Sequence, residues 1–352
     1  MKKSLLALAV LGAFAGVASA QSSVTLFGTV DLSAKYVKND GFNRRVSLDK
    51  DGLNSSQLGF RGTEDLGGGL KAGFLLLGAT SADTGNAGGG SKFFNRSSYL
   101  RLWGNFGEVR LGRDYTPTFW NDTIFDAFGT VGLGDSTHVG QLLNPSTFVR
   151  ADNSIGYFLP SGIGGVYGQV MVAASEGASG NQGRYIGGRV GFAAGPFDIA
   201  GAYGQQRLDL TPGAPSQKTY NIGGSYDLGV VKLMGYYDRD SLSYGGFDQK
   251  EDRFSFSGVV PLGQGEIHAG YDRSKLKNNI APATSNTISQ IKVGYVYNLS
   301  KRTAVYTTYS RLSNGGNSVT GSTNTVAGGS STTGITPGGK SQGAEFGLRH
   351  FF

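Results

Sequence analysis

The 352-residue chain combines 59 glycines and 11% aromatic residues with only 16% charged residues and a formal net charge of +7. Because the sequence contains no cysteine, disulfides and cysteine-ligated metal sites are excluded, and the lack of a Gly-X-Y period excludes collagen. The aromatic content argues against a disordered chain. A composition rich in glycine and aromatics but poor in charge favours many short amphipathic strands.

The chain begins with a segment typical of a secretory signal peptide. Lys2 and Lys3 form a positive start, residues 4–17 are almost entirely apolar, and residues 18–20 (Ala-Ser-Ala) match a small-residue cleavage site. We predict that residues 1–20 are cleaved off. The alternative is an uncleaved anchor, but about 14 apolar residues are too few to span a bilayer comfortably.

The predicted mature chain, residues 21–352, carries 30 basic and 25 acidic residues once the two lysines are removed, a net charge of +5. These charges are spread along the chain, with no block of basic residues of the kind that nucleic-acid binding needs. No composition shift marks a boundary, so we predict a single domain over this range. Export without cysteine fits an envelope protein of a Gram-negative bacterium.

Hydrophobicity along the chain alternates with a period of two. Residues 220–228, 253–260 and 289–299 each place apolar side chains on one face and polar ones on the other. This alternation is typical of β-strands with one dry and one wet face. Many of the apolar faces end in Tyr or Phe, as an aromatic girdle at a membrane interface requires. The strands are therefore predicted to cross a membrane.

The connections between the predicted strands are of two kinds. Seven are short turns and eight are longer polar stretches, among them 38–52 and 242–250. This pattern predicts sixteen antiparallel strands closed into a barrel. A barrel of this size leaves an aqueous channel. The longest connections are 114–151 and 313–340. The second is rich in Gly, Ser, Thr and Asn, and we interpret it as a mobile external loop.

Five segments together resemble the general porins of Gram-negative outer membranes, in their β-proteobacterial branch. They are QSSVTLFG at 21–28, LGFRGTEDLGGGLK at 58–71, FGEVRLGR at 106–113, RADNSIGY at 150–157 and GLRHFF at 347–352. The resemblance implies an all-β, sixteen-stranded transmembrane barrel with an inward-folded third external loop. It also implies an outer-membrane homotrimer through which small hydrophilic solutes and ions diffuse passively. Its partners would be outer-membrane lipids and lipopolysaccharide, with no nucleic acid, cofactor or metal.

The chain ends in an aromatic residue, Phe352, on the apolar face of the last predicted strand. The family resemblance implies that this ending is the signal that the outer-membrane insertion machinery recognises. The alternative is a last strand that simply has an aromatic end.

The 114–151 connection is unusually long and contains many apolar side chains, so it should pack against another part of the protein. If it folds into the barrel, its aromatics would lie against the wall, and Asp122, Asp126 and Asp135 would face the channel. Residues 121–128 are predicted to form a short helix, because Ile124, Phe125 and Phe128 would fall on one of its faces. The alternative is a folded cap over the channel mouth.

Basic side chains are predicted on the wall opposite this loop. Arg96 and Arg150 lie at positions where the family motif carries wall arginines, and Arg61 shares the inward face of its strand with Gln57. Arg101 lies on the face opposite Arg96, so the alternation leaves open which side chains of 93–103 face inward. Acids on the loop facing arginines on the wall would create a transverse field across the pore.

Three lumen positions differ from common relatives. Gln57 stands where relatives often have Arg, and Leu75 and Leu77 replace a Gln and a Glu. The leucines predict either a less acidic constriction with an apolar spot or a packing site covered by the loop.

The sequence therefore predicts a porin with a weak to moderate preference for anions. The alternative is a substrate-specific channel with a solute-binding constriction. An outer-membrane enzyme would need a positioned histidine, and none of His138, His268 and His350 lies in a recognised nucleophile motif. We predict no catalytic residue.

Overall fold

The computed structural model describes residues 23–88, 90–142, 149–175, 184–207, 216–278, 285–316, 323–326 and 334–352. The predicted signal segment, residues 1–20, lies outside the described residues. The described chain is a closed antiparallel β-barrel of sixteen strands, which confirms the predicted fold class.

Eighteen strand segments build the barrel. They are β1 (Ser23–Asn39), β2 (Arg45–Lys50), β3 (Gln57–Gly67), β4 (Leu70–Ser81), β5 (Asn86–Ala87), β6 (Ser97–Gly104), β7 (Gly107–Tyr115), β8 (Arg150–Phe158), β9 (Val166–Ala173), β10 (Tyr185–Ala194), β11 (Phe197–Arg207), β12 (Ser216–Asp227), β13 (Lys232–Tyr244), β14 (Phe247–Leu262), β15 (Gly265–Asn278), β16 (Ser285–Asn298), β17 (Thr303–Ser313) and β18 (Lys340–Phe351). One α-helix among the described residues, α1 (Pro117–Ile124), and two 3₁₀ turns, Gly132–Gly134 and Ser136–Val139, lie in the longest connection. The described part of the chain has no helix long and apolar enough to cross a membrane.

Two of these segments do not count as separate barrel strands. β2 and β3 both pair with β1 and together form one interrupted strand, and β5 is a two-residue pairing beside β4. Sixteen strands therefore remain. β2 falls inside the 38–52 stretch that the sequence pattern assigned entirely to a loop, because its short alternation is masked by charged residues.

Alternate residues face opposite sides of the wall. On β14, Phe254 and Phe256 are 54% and 59% exposed, whereas Arg253 and Ser255 are buried. The exposed apolar side chains form the outer surface, which suits contact with lipid. The polar side chains face the interior, where some of them contact the long connection between β7 and β8.

One predicted long loop is a tight turn. The sequence pattern predicts a loop over 242–250, but β13 and β14 continue to Tyr244 and Phe247 and are joined by two residues. These are Gly245 and Gly246, with φ of 54° and 86°. Two consecutive glycines with positive φ suit the two-residue hairpin turns that match strand twist. That prediction was therefore wrong.

The barrel closes between its first and last strands. β1 pairs with β18 from Thr29 with Phe351 to Asn39 with Ser341. Beyond this ladder, the N–H groups of Gly28 and Phe352 each donate to the other's carbonyl at 3.1 Å. A side chain at position 28 would overlap the Phe352 ring, so Gly28 leaves the space that this ring occupies.

Candidate functional site: the lumen loop and its facing wall

The long connection enters the barrel and contacts its inner wall. We call its described part, residues 116–142, the lumen loop. The Thr116 N–H donates to the Val149 carbonyl at 3.1 Å, which ties the two ends of the connection together. Contacts with inward-facing side chains of β10 to β18 then hold the loop along one side of the interior. These contacts place the loop inside the barrel, as predicted, and not over the channel mouth as a cap.

Helix α1 opens the lumen loop. Thr116 is its N-cap, accepting the Phe119 N–H at 3.4 Å, and Pro117 occupies the first turn. The sequence pattern predicts the helix at 121–128, so its start was predicted four residues too late. The error arose because Ile124, Phe125 and Phe128 share a helical spacing, whereas Phe128 lies beyond the end of the helix.

The apolar side chains of the lumen loop pack into the wall. Phe125 is fully buried against Ala200 and Tyr236. A methyl group at Gly223 of β12 would overlap the Phe125 ring, so this glycine provides the space that the ring fills. Ile124, which the sequence pattern grouped with Phe125, remains 37% exposed.

Two aspartates of the loop are buried in ion pairs with the wall. Asp122 lies 3.1 Å from the Arg253 guanidinium, and Asp126 lies 3.0 Å from Lys292 Nζ. The two residues are 1% and 5% exposed. Burial raises the pKa of the Asp122 carboxyl to about 6, against the opposing effect of Arg253. The prediction that both aspartates face the channel is therefore corrected: they fasten the loop to the wall.

Asp135 has a different position from the other two aspartates. Its carboxylate accepts the Thr137 N–H at 2.7 Å and lies 3.8 Å from the imidazole of His138. It also lines an open space in the lumen together with Arg96 and Arg150. Asp135 is thus the predicted acidic residue that the structure brings near the basic wall.

Backbone groups of the loop are held by buried acids on the wall. The N–H groups of Gln141 and Leu142 donate to Glu251, and that of Leu133 donates to Glu345 at 3.1 Å. Hydrogen bonds to charged acceptors contribute more to stability than those between neutral groups. These acids therefore stabilise the loop without adding free negative charge to the lumen.

The loop leaves open a space beside the remaining wall. We call this space the lumen recess. It consists of two cavities whose linings share Ser55, Arg96, Tyr115, Trp120, Gly129 and Val131.

Arg96 and Arg150 meet in the recess at one hydroxyl group. Both guanidinium groups donate to Tyr115 Oη, at 3.0 and 2.7 Å. The Arg150 guanidinium also lies 4.4 Å from the centre of the Tyr115 ring. Within the part of the chain that the structure describes, neither arginine forms an ion pair with a carboxylate. The Tyr115 ring is itself stacked on Phe119 at 5.6 Å, which fixes the orientation of the cluster.

The ambiguous position of Arg96 is explained by the strand boundary. Arg101 lies on the face opposite that expected for Arg96 by simple alternation. However, β6 begins at Ser97, so Arg96 lies outside the strand. Its N–H donates to the Leu77 carbonyl at 3.0 Å, and its side chain turns into the recess.

The other predicted lumen residues divide into two groups. Gln57, Leu75 and Leu77 line the recess, and Leu77 is 8% exposed because it packs over Gly59. Arg61 lies apart from them: its guanidinium is 5.0 Å from the centre of the Phe27 ring, and it is not part of the recess lining. Arg61 therefore faces inward but does not join Arg96 and Arg150.

The three histidines occupy structural positions. His268 contacts the Ala127 carbonyl and Glu266, and His350 contacts Thr303 Oγ1. Burial lowers the pKa of His138, against the opposing effect of Asp135. Among the described residues, no group of three or more His, Cys, Asp or Glu could hold a metal ion.

Part of the last external connection also reaches the lumen loop. Asn324 Nδ2 donates to the carbonyls of His138 and Gly140 at 2.7 and 2.9 Å, and Val326 is fully buried beside Leu133 and Val139. The sequence pattern predicts a mobile external loop over 313–340. For Asn324 and Val326 this was wrong; residues 317–322 and 327–333 lie outside the described part.

Sequence reasoning missed several residues of the site. Tyr115 was not recognised as the link between the arginines. Asn121 was not recognised as an anchor, although its amide donates to Ala200 O and Asn221 Oδ1. Arg189 bonds the same Asn121 side chain. Each contact joins residues distant in sequence, so no local pattern could reveal them.

Comparisons with known proteins agree with this architecture. The model of the Gram-negative porin family matches residues 7–317. The chain belongs to this family. The "Outer membrane porin protein 32" of Delftia acidovorans is 40% identical over the full length of both chains. An outer membrane porin of Bordetella pertussis is 29% identical, over 87% of this chain and 93% of its own.

Solved structures of outer-membrane proteins share the fold. The "Anion-selective porin from Comamonas acidovorans" superposes with a TM-score of 0.83 at 36% identity, covering 94% of this chain and 100% of that one. The trimer form of OmpT of Vibrio cholerae gives a TM-score of 0.69 at 15% identity, with coverages of 94% and 99%, which supports the fold alone.

The porin described here is thus an outer-membrane protein of Gram-negative type. Its barrel forms a water-filled channel for the passive diffusion of small hydrophilic solutes and ions. Members of the family are channels rather than enzymes.

Proposed function

We propose that this porin prefers anions, weakly to moderately. The observation that carries the proposal is that, in the described part of the chain, the arginines lining the recess lack an acidic partner, whereas two aspartates of the lumen loop are ion-paired. Arg96 and Arg150 line it without a carboxylate partner among the described residues, whereas Asp122 and Asp126 are neutralised by Arg253 and Lys292. Because charged side chains lining a pore set its ion preference, the unpaired arginines favour anions.

Other groups limit the strength of this preference. Asp135 lines the same recess and opposes the arginines, giving a field across the pore that orients polar solutes. Leu75 and Leu77 line the recess as well and add no basic charge to it. A relative of known structure at 36% identity is described as anion-selective, which supports the sign proposed here.

The reversal potential of the reconstituted porin under a salt gradient tests this proposal. In a chloride salt, an anion-preferring pore gives a reversal potential with the same sign as the equilibrium potential of chloride. A clear cation preference would contradict the proposal and would mean that Asp135 or other loop charges dominate the lumen.

A second candidate function is a substrate-specific channel. It is favoured by the recess, which places Leu75 and Leu77 beside Arg96 and so offers both an apolar and a basic contact to a solute. Flux that saturates with solute concentration, or solute-induced blocking of single channels, would support this function. Flux linear in concentration would support general diffusion.

We also propose how the porin reaches and occupies the membrane. Residues 1–20 would be removed during export, which N-terminal sequencing of the mature protein tests directly. The assembled porin would be a homotrimer, and its sedimentation in detergent tests this oligomeric state. In the membrane it would contact lipids and lipopolysaccharide. Phe352 would be recognised by the insertion machinery; its place at the barrel seam is consistent with a role in closure as well.

A further inference from the structure

The strand formed by β2 and β3 leaves its partner β1 at one place. Lys50 pairs with Leu32, and Gln57 pairs with Thr29. Two residues of β1 therefore lie opposite the six residues 51–56. We call residues 51–56 the inner bulge. An insertion of this length must project from the wall, and its direction decides what it does.

The inner bulge projects into the lumen. It folds over Asp31, which is fully buried on the inward face of β1. The Asp31 carboxylate accepts the N–H groups of Gly52, Leu53 and Asn54 at 3.1, 3.0 and 2.7 Å. It also accepts the hydroxyl of Tyr306, which lies on β17. Such charge-assisted bonds fix the backbone of the bulge.

Further contacts support the bulge from two sides. Leu53 packs against Val296, Ala304 and Tyr306, and Arg349 Nη1 donates to Asn54 Oδ1 at 3.0 Å. Gly132 of the lumen loop lies so close to the Gly52 carbonyl that a side chain at 132 would overlap it. The bulge and the lumen loop therefore meet and form a continuous rim.

The exposed part of this rim faces the basic wall. Ser55 lines both cavities of the lumen recess, and Asn54 lines one of them. Both cavities also include Arg96 in their lining.

We propose that the inner bulge is a second element of the pore constriction. Asn54 and Ser55, together with the lumen loop and Arg96, set the narrowest cross-section of the channel and hence the size limit for solutes. Asp31 is the positioning residue that holds the bulge in this place. The proposal rests on the channel function of the protein but not on the sign of its ion preference.

The absence of native cysteine allows a direct test. Ser55→Cys introduces a single thiol at the rim. Thr25→Cys is the matched control, because Thr25 lies on the same inward face of the wall as Asp31 but outside the recess lining. Each variant porin is reconstituted and treated with cationic and anionic methanethiosulfonates of similar size. Single-channel conductance is measured before and after labelling, and mass spectrometry measures the extent of labelling.

We expect both reagents to lower the conductance of Ser55→Cys by about two-fold or more, because either one narrows the constriction, and to change Thr25→Cys much less. The anionic reagent should also shift the reversal potential toward cations more in the Ser55→Cys porin than in the Thr25→Cys porin.

Three results would overturn the proposal. The first is full labelling of the Ser55→Cys porin without a conductance change, and the second is equal blocking of the two variants. The third is a thiol that fails to react in the folded Ser55→Cys porin while the thiol of Thr25→Cys reacts, which would place Ser55 outside the water path. The reversal potential of unlabelled porin tests anion preference separately.

Discussion

Tyr115 is the residue that organises the basic wall. Its hydroxyl oxygen accepts a hydrogen bond from each of two guanidinium groups, and its ring is fixed by stacking on Phe119. Two like charges held close together repel each other, and their hydrogen bonds to one shared oxygen offset part of that cost. We therefore expect the tyrosine hydroxyl to keep Arg96 and Arg150 directed toward the recess.

Tyr115→Phe should weaken the ion preference without reversing it. The ring remains, but the shared acceptor is lost, so each arginine gains freedom to turn toward other partners. Loss of a hydrogen bond to a charged group costs about 1.5–3 kcal/mol, enough to lower the anion-to-cation permeability ratio by roughly two-fold or more. The measurement is the reversal potential, with Tyr226→Phe on the exposed outer surface as the control. A ratio identical to that of wild type would show that the hydroxyl does not orient the arginines.

Asp122 makes the stability of the folded protein depend on pH. Its pKa is raised to about 6 in the folded protein, chiefly by burial, from an ordinary value near 3.8. The folded state therefore holds a proton between these values that the unfolded state has released. This group's contribution to stability is present below about pH 4 and is lost as pH rises through about 6.

Comparing wild type with Asp122→Asn isolates this contribution. The variant carries a neutral side chain of the same shape at all pH values. We expect the stability of wild type relative to the variant to fall as pH rises from about 4 to about 6, and to level off above. Urea unfolding in detergent over this pH range measures the difference. A difference that rises with pH instead would mean that the Arg253 ion pair outweighs the cost of burial.

The sequence could not distinguish the three loop aspartates from one another. All three lie in one polar and aromatic stretch, yet the partner of Asp122 is 131 residues away and that of Asp126 is 166 residues away. Composition and spacing located the loop and its acids. Only the fold could tell which acids are neutralised.

At the scale of elements, the lumen loop and the wall fit through glycines on the inner face. Gly223 leaves room for Phe125, and Gly343 lies beside Leu133 in the same way. The fit explains why the inner surface of a polar barrel contains small apolar sockets. It also makes the position of the loop sensitive to single methyl groups.

Gly223→Ala should displace the Phe125 ring and destabilise the loop. Overpacking of this kind costs about 1–3 kcal/mol. Gly235→Ala, one strand further on, is the control because no heavy atom lies within 4 Å of the methyl group it would add. Urea unfolding should show a clear loss only for the first variant, accompanied by more frequent conductance fluctuations. Equal effects of the two substitutions would argue against the socket.

The alternating strands were predictable because burial on one side leaves a period of two in the sequence. The resemblance to porins supplied the inward fold of the loop. The features that were missed have other causes. The 242–250 turn looked like a loop because Gly245 and Gly246 follow a polar run, and the inner bulge has no periodicity at all. Its geometry depends on Asp31, an ordinary strand residue in sequence.

At the scale of the whole molecule, the barrel is complete only when its last residue joins its first strand. Phe352 exchanges two backbone hydrogen bonds with Gly28, and its ring lies over that glycine. The terminal residue therefore contributes to closure in addition to any role as an assembly signal.

Deleting Phe352 should sharply lower the amount of folded porin in the outer membrane, by about ten-fold or more, while export across the inner membrane continues. The loss of ladder bonds at the seam and of the terminal aromatic both act in this direction. Phe352→Tyr, which keeps an aromatic ring, should assemble nearly as wild type. The amount of heat-modifiable barrel in isolated membranes measures the effect. Normal levels after deletion would contradict the assembly role.

Arg96 and Arg150 are the side chains on which the proposed anion preference of the whole pore depends. Their role is tested most directly by the reversal potential of the Arg96→Ser/Arg150→Ser double variant, confirmed as a folded barrel, beside wild type. Charges a few ångströms from a permeating ion in a wet pore contribute about 1–4 kcal/mol each before screening, so both contributions are measurable and are larger at low salt. We predict an anion-preferring wild type and a clear shift toward cations in the double variant at low ionic strength. A wild-type reversal potential in the double variant, or a cation-selective wild type, would contradict this role.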